Sequence, residues 1–140
     1  MTRFTNLSKT GKALAAKAKS AVAVRDNNSG LIWATKSIKV SSHAEAEKAA
    51  AALDLMGHKG WRLPTVEELF LLADRTRRSP AIDTDFFPDT KNDWYWSSSP
   101  YAGSSGYAWG VGFLDGDGYF RNRGNDGFVR AVRGPVSASQ

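Results

Sequence analysis

The residues with chemical potential in this chain are few. Two histidines, His43 and His58, lie fifteen positions apart, a serine run spans Ser97 to Ser99, and an acidic Asp115-Gly116-Asp117-Gly118 stretch follows later. There is no cysteine, so thiolate metal sites, cysteine nucleophiles and disulfide staples are all excluded. Both histidines fall near the ends of an expected helix, where an isolated imidazole serves as a surface cap rather than half of an acid–base or metal pair. The serine run has no histidine near it in sequence and reads as a set of loop hydrogen-bonding groups. Asp115 and Asp117 offer oxygen ligands to calcium, but an EF-hand loop needs further acidic ligands and a Glu at its twelfth position, where Asp126 stands. The simpler expectation is a tight turn without cofactor, with calcium the alternative. No Walker-type phosphate loop occurs.

Composition favours recognition over catalysis. Between Tyr101 and Phe128 the chain mixes Tyr, Ser, Gly and Asn, the blend that antibody paratopes use: tyrosine gives broad contact at low entropic cost, and small polar residues adapt. The candidate ligand-binding residues are Tyr101, Ser105 and Tyr107 before the acidic stretch, and Asp115 and Asp117 within it. Tyr119, Arg121, Asn122, Arg123, Asn125 and Asp126 follow it. The competing reading is an ordinary turn-rich hairpin.

Such a surface needs a scaffold, and 140 residues with 41% hydrophobic content suffice for one domain. Residues 1–24 read as a basic, weakly structured arm, a solvated tail or a packing strand, with a helical stripe of Leu14, Ala18 and Val22 as the alternative. Over residues 1–25 the chain carries Arg3, Lys9, Lys12, Lys17, Lys19 and Arg25 and no acidic residue, so the arm accounts for the net charge of +5. Its apolar runs, Ala13 to Ala16 and Ala21 to Val24, are too short for a secretory signal, and no stretch approaches the roughly 20 apolar residues of a membrane span. The folded domain is expected over 25–134, with 135–140 as a tail.

Within that domain, Arg25 to Trp33 reads as a strand end, an Asn/Gly turn and a second strand reaching Thr35. Ser42 and Glu45 fit the capping box of a helix whose small face is Ala46, Ala49, Ala50, Leu53 and Met56, with Gly57 as the stop. Thr65 and Glu68 cap a second helix that buries Leu69, Leu72 and Ala73. From Ser79 onward, Pro, Gly and aromatic clusters mark hairpins and long loops. Tyr107, Trp109, Val111 and Phe113 share one strand face, the 115–118 stretch turns the chain, Tyr119 to Arg123 returns it, and Phe128 to Arg133 forms a last strand. The plan is α+β: two helices packed on a small antiparallel sheet with long irregular loops.

Several motifs then converge in one order: Gly30-Leu31-Ile32-Trp33, Gly60-Trp61-Arg62-Leu63-Pro64-Thr65, Phe86-Phe87-Pro88, Tyr95-Trp96-Ser97-Ser98-Ser99, Ala108-Trp109-Gly110-Val111-Gly112-Phe113 and Val129-Arg130-Ala131-Val132-Arg133. From about Arg25 to Arg133 the chain resembles the Lcl C-terminal domain family. The resemblance implies a C-type lectin-like fold and binding rather than catalysis. It extends to bacterial adhesins and to the variable proteins of diversity-generating retroelements, some carried on phage tails. Formylglycine-generating enzymes share that broad fold, but their chemistry needs cysteines. Read physically, Trp33, Trp61 and Trp96 are core, and Arg62, Arg130 and Arg133 tie loops together through their forked donors.

The function expected is therefore display of a variable-looking surface to a cell-surface protein or glycan, on a virion or cell surface. If that setting is wrong, a cytoplasmic one is the alternative. A second reading is an assembly protein docking to a fibre or baseplate subunit through residues 1–24. Nucleic-acid binding through Lys9, Lys12, Lys17, Lys19, Arg121 and Arg123 is disfavoured, because no compact reader motif accompanies the charge.

Overall fold

The computed structural model describes residues 3–136; the expected tail thus falls largely outside the described residues. Ten strands and two helices form a small α+β domain: β1 (Phe4–Leu7), β2 (Ala13–Leu14), β3 (Ala23–Asp26), β4 (Ile32–Ala34), β5 (Ile38–Val40), α1 (His43–Ala51), α2 (Val66–Leu72), β6 (Trp94–Pro100), β7 (Tyr107–Gly112), β8 (Asp117–Asn122), β9 (Gly127–Val129) and β10 (Val132–Arg133). They build two five-stranded sheets rather than the single small sheet expected, in the orders β10-β4-β3-β1-β2 and β5-β9-β6-β7-β8. All pairings are antiparallel except β6 with β9.

The arm forms packing strands, one of the expected readings, and not the alternative helical stripe. Phe4 and Leu7 are buried, and β1 pairs with β3 from Phe4↔Asp26 to Leu7↔Ala23. The registration is locked by charge: Arg3 donates from Nε and Nη2 to the buried Asp26 carboxylate at 3.2 and 3.0 Å. A helix through Leu14, Ala18 and Val22 would have buried three modest side chains, whereas the strand buries Phe4 and Leu7 and satisfies its backbone on β3.

Helix α1 also ends sooner than its alanine content suggests. Ser42 Oγ accepts from the Glu45 amide, as expected of the cap, but the last helical residue is Ala51. Leu53, Leu55 and Met56 then leave the helical path to pack against the core, with Met56 and Gly57 in the left-handed region (φ 58° and 70°). Helix α2 keeps the full capping box between Thr65 and Glu68 and buries Val66, Leu69 and Leu72.

Alternation in β6 divides the core. Trp94 and Trp96 enter a cluster with Trp61 and the α1 alanines, while Tyr95 points the other way to Trp33, Leu69, Leu72 and Phe87. The single strand expected over Phe128 to Arg133 is instead two, in different sheets, because the chain crosses at Arg130. That guanidinium is 1% exposed and donates to Ala34 O, Thr35 O, Ser37 Oγ, Asp89 Oδ1 and Thr90 Oγ1. It rests 4.9 Å above the Phe87 ring. Arg62 performs a related task, gripping Glu68 with two bonds of 2.8 and 2.9 Å and the Gly134 carbonyl at 2.9 Å. Arg133 reaches the Lys59 carbonyl at 3.3 Å.

Candidate recognition surface

The β7–β8 hairpin ends the second sheet with a mostly exposed edge strand. Its turn falls at residues 113–116, two positions earlier than the acidic residues suggest. Phe113 is 1% exposed and anchors the turn's start, and the Gly116 amide returns to Gly112 O at 2.8 Å. Gly116 has φ 85°, a conformation that favours glycine. Asp115 Oδ1 accepts the Asp117 amide at 3.1 Å, so it stabilises the turn. Asp117 and Gly118 have already joined β8, opposite Gly112 and Val111. Among the described residues no group of three or more His, Asp or Glu side chains is arranged to hold a metal ion.

Period-two alternation sorts the expected site residues onto two faces. Tyr119 and Arg121 lie on the side of Trp94: the Arg121 guanidinium is 4.6 Å from the Trp94 ring, and the Tyr119 ring is 6.2 Å away. This is possible because Tyr119 faces Gly110, whose missing side chain leaves room for the Trp94 indole. The Asp115 carboxylate, reinforced by Asp117, pushes the exposed Tyr119 phenol above its ordinary pKa by disfavouring a second negative charge.

The opposite face is aromatic. Phe120 stacks on Tyr101 with centroids 3.9 Å apart and planes 7° from parallel. Trp109 meets Phe120 edge-on at 5.5 Å, and Tyr107 does so at 6.0 Å. Tyr101 and Tyr107 are among the expected contacts, whereas Phe120 is not, and Trp109 is expected only as a strand-face residue. The missed signal was register: Trp109 pairs directly with Phe120, so an outward Trp109 requires an outward Phe120. Tyr119 and Phe120 are 46% and 44% exposed, on opposite faces of one edge strand.

The remaining expected residues are dispersed. Ser105 is exposed in the loop after Tyr101, whereas Ser104 makes that loop's backbone bonds with Tyr101 and Tyr107. Asn122 Oδ1 accepts the Gly124 amide at 2.8 Å, which shapes the next turn, and Asn125 is exposed within it. Asp126 lines a separate open groove of 680 Å³ beside Lys39, Glu45 and Lys48. Arg123 turns inward: its Nη1 lies 3.2 Å from His43 Nδ1, while its backbone bonds Gly106 O and receives the His43 amide.

His43 itself corrects the expectation of a surface cap. It is 2% exposed, packs edge-on to Trp96 at 5.0 Å, and places Nε2 2.9 Å from Ser97 O. A carbonyl can only accept, so Nε2 carries the proton and Nδ1 accepts from Arg123. Ser97 is thus next to a histidine in space although not in sequence. Its hydroxyl nevertheless donates to Trp109 O at 2.6 Å, and His43 meets its carbonyl rather than its Oγ. The pair braces β6, β7 and α1. His58 is exposed, and its carbonyl accepts the Trp61 indole N–H.

The basic residues do not form one strip. Lys9, Lys12, Lys17 and Lys19 lie around β2 at the edge of the first sheet, and Arg121 lies on the edge of the second. No helix among the described residues is long and apolar enough to cross a membrane. Comparison with curated proteins gives no match. The family model of the Lcl C-terminal domain spans residues 22–133, from the start of β3 to the end of β10 and including every element that supports the hairpin, and the chain belongs to that family.

Proposed function

We propose that this domain is a non-catalytic recognition module of the C-type lectin-like class, reading a cell-surface protein or glycan through the β7–β8 hairpin and the loop after Tyr101. The observation that carries this reading is the pair Tyr119 and Phe120, nearly half exposed on an edge strand whose one neighbour, β7, is half buried against the core. Aromatic residues held this rigidly give contact area with little ordering entropy left to lose. Asp117, Tyr119 and Arg121 supply polar contacts on one face, and Tyr101, Tyr107 and Phe120 supply an apolar platform on the other. Family membership supports a binding role, and the structural employment of His43 and Ser97 supports a non-catalytic one. The setting that suits such a module is a virion, phage tail or cell surface, where a retroelement-diversified version of this hairpin would alter ligand choice without disturbing the core.

The test is binding of the purified domain to arrays of bacterial surface proteins and glycans, with and without calcium, beside Tyr119→Ala/Arg121→Ala and Phe120→Ser variants. A specific ligand lost in either variant, with thermal unfolding unchanged, supports the reading. A ligand that both variants retain, or no ligand for a folded domain, refutes it. The assembly alternative draws on the exposed lysines of the β1–β2 hairpin. Because β1 lies between β2 and β3, deleting residues 1–24 would damage the sheet, and Lys9→Ala/Lys12→Ala is the cleaner probe.

A further inference from the structure

The four sheet edges are unequal. Strand β2 has two residues and follows Lys12; β5 has three with Lys39 at its centre; β10 has two and is covered by mutual backbone bonds between Arg62 and Val132. Short strands, lysines and covering segments are the ordinary means by which proteins stop edges from pairing. Strand β8 has none of them. It runs six residues without lysine, proline or bulge, and it presents Tyr119 and Phe120.

The direction of its free groups follows from one bond. The Arg123 amide donates to Gly106 O on the β7 side, so amides and carbonyls at alternate positions back through Arg121, Tyr119 and Asp117 face β7. Those of Gly118, Phe120 and Asn122 therefore face outward. The Asn122 carbonyl accepts the Asn125 amide, and among the described residues the Gly118 and Phe120 backbone groups have no partner.

We propose that β8 pairs antiparallel with β8 of a second copy of this chain, about a two-fold axis at Phe120, to join two sheets into one. Of the registers that set outward residues against outward residues, Phe120 opposite Phe120 with Gly118 opposite Asn122 is the one that pairs all three of them. The side chains then agree with it without further adjustment. Tyr119 falls opposite Arg121 of the second copy, a ring facing a guanidinium. The two Phe120 rings meet on the other face and merge the two aromatic platforms. Moving the register by two residues sets Arg121 opposite Arg121 or Tyr119 opposite Tyr119 and pairs only two of the three outward residues of each strand. Pairing rests on backbone groups of the strand edge that the recognition reading does not use, while Tyr119, Phe120 and Arg121 contribute to both.

Sedimentation velocity of the full chain across the micromolar to millimolar range should show a monomer–dimer equilibrium. Phe120→Pro removes an outward amide, together with the ring stacked on Tyr101, and leaves the bonds of β8 to β7 in place; it should give a monomer with unchanged far-UV circular dichroism. Because the chain has no cysteine, Phe120→Cys provides a second, independent readout. Directly opposed residues in a hydrogen-bonded pair lie about 5.5 Å apart at Cα, within disulfide range, so mild oxidation should cross-link this variant at least about tenfold faster than Ser105→Cys. A chain that remains monomeric throughout and cross-links no faster at 120 than at 105 overturns the proposal, as does a dimer that Phe120→Pro leaves intact with no such cross-linking preference. The two ideas fail separately: ligand binding by a chain that stays monomeric leaves the recognition reading standing and overturns the pairing, and dimerisation without any ligand leaves the pairing standing.

Discussion

Replacing Arg130 with Met tests the claim that one buried guanidinium holds the chain where it passes between the two sheets. The substitution keeps much of the apolar volume over Phe87 and removes every donor. Bonds of 2.9 and 2.7 Å to the Ala34 and Thr35 carbonyls disappear, with those to Ser37 Oγ, Asp89 Oδ1 and Thr90 Oγ1. A buried acceptor left unpaired costs about 1–3 kcal/mol. Ala34 is 3% exposed and cannot recruit water, whereas the Asp89 side chain is 38% exposed and recovers most of its solvation. Arg130 Nε is itself buried without a partner, so Met also removes an existing penalty. The balance is a loss of about 3 kcal/mol, a large share of the roughly 5–15 kcal/mol typical of a domain. Urea unfolding followed by tryptophan fluorescence measures it, and thermal unfolding should fall by roughly 10 °C. Arg130→Lys should recover less than half, because one ammonium cannot span carbonyls and hydroxyls on both sides of a planar fork. A midpoint for Arg130→Met equal to that of the parent chain would refute the reasoning.

Two further outcomes follow from other sites. Gly110→Ala should destabilise by about 1–3 kcal/mol in the same unfolding assay, since its Cβ would lie 2.5 Å from Trp94 Cζ2 and also strike the Tyr95 carbonyl; unchanged stability would show that the indole can move aside. For Glu68, burial raises the carboxyl pKa, but hydrogen bonds from Arg62 and Thr65 outweigh it and leave the folded-state value below the ordinary one. The associated stability is present above the unfolded-state pKa near 4.5 and is lost as pH falls through the lower folded value. Thermal unfolding from pH 6 down to pH 2 should therefore steepen in its acid limb, and Glu68→Gln should flatten that limb; identical limbs would remove this pair from the acid response.

The sequence by itself determined the elements whose signals are local. Thr65 and Glu68 announced α2 because a capping box is written in four consecutive residues. The Asn/Gly turn before Leu31 announced the β3–β4 hairpin for the same reason. The family was legible because motifs such as Trp61-Arg62-Leu63-Pro64-Thr65 recur in fixed order. What only the tertiary structure decided depended on partners distant in the chain. Residues 4–7 became a strand because β3 and the buried Asp26 were there to receive them. His43 became core because Trp96, Ser97 and Arg123 close around it from positions 53 to 80 residues away. The Phe128–Arg133 segment split between two sheets because Arg130 found acceptors more than 90 residues upstream. The recognition surface was legible as composition, but its division into a polar and an aromatic face was not. That division depends on the register of β8 against β7, and a shift of one residue exchanges every side chain between the faces.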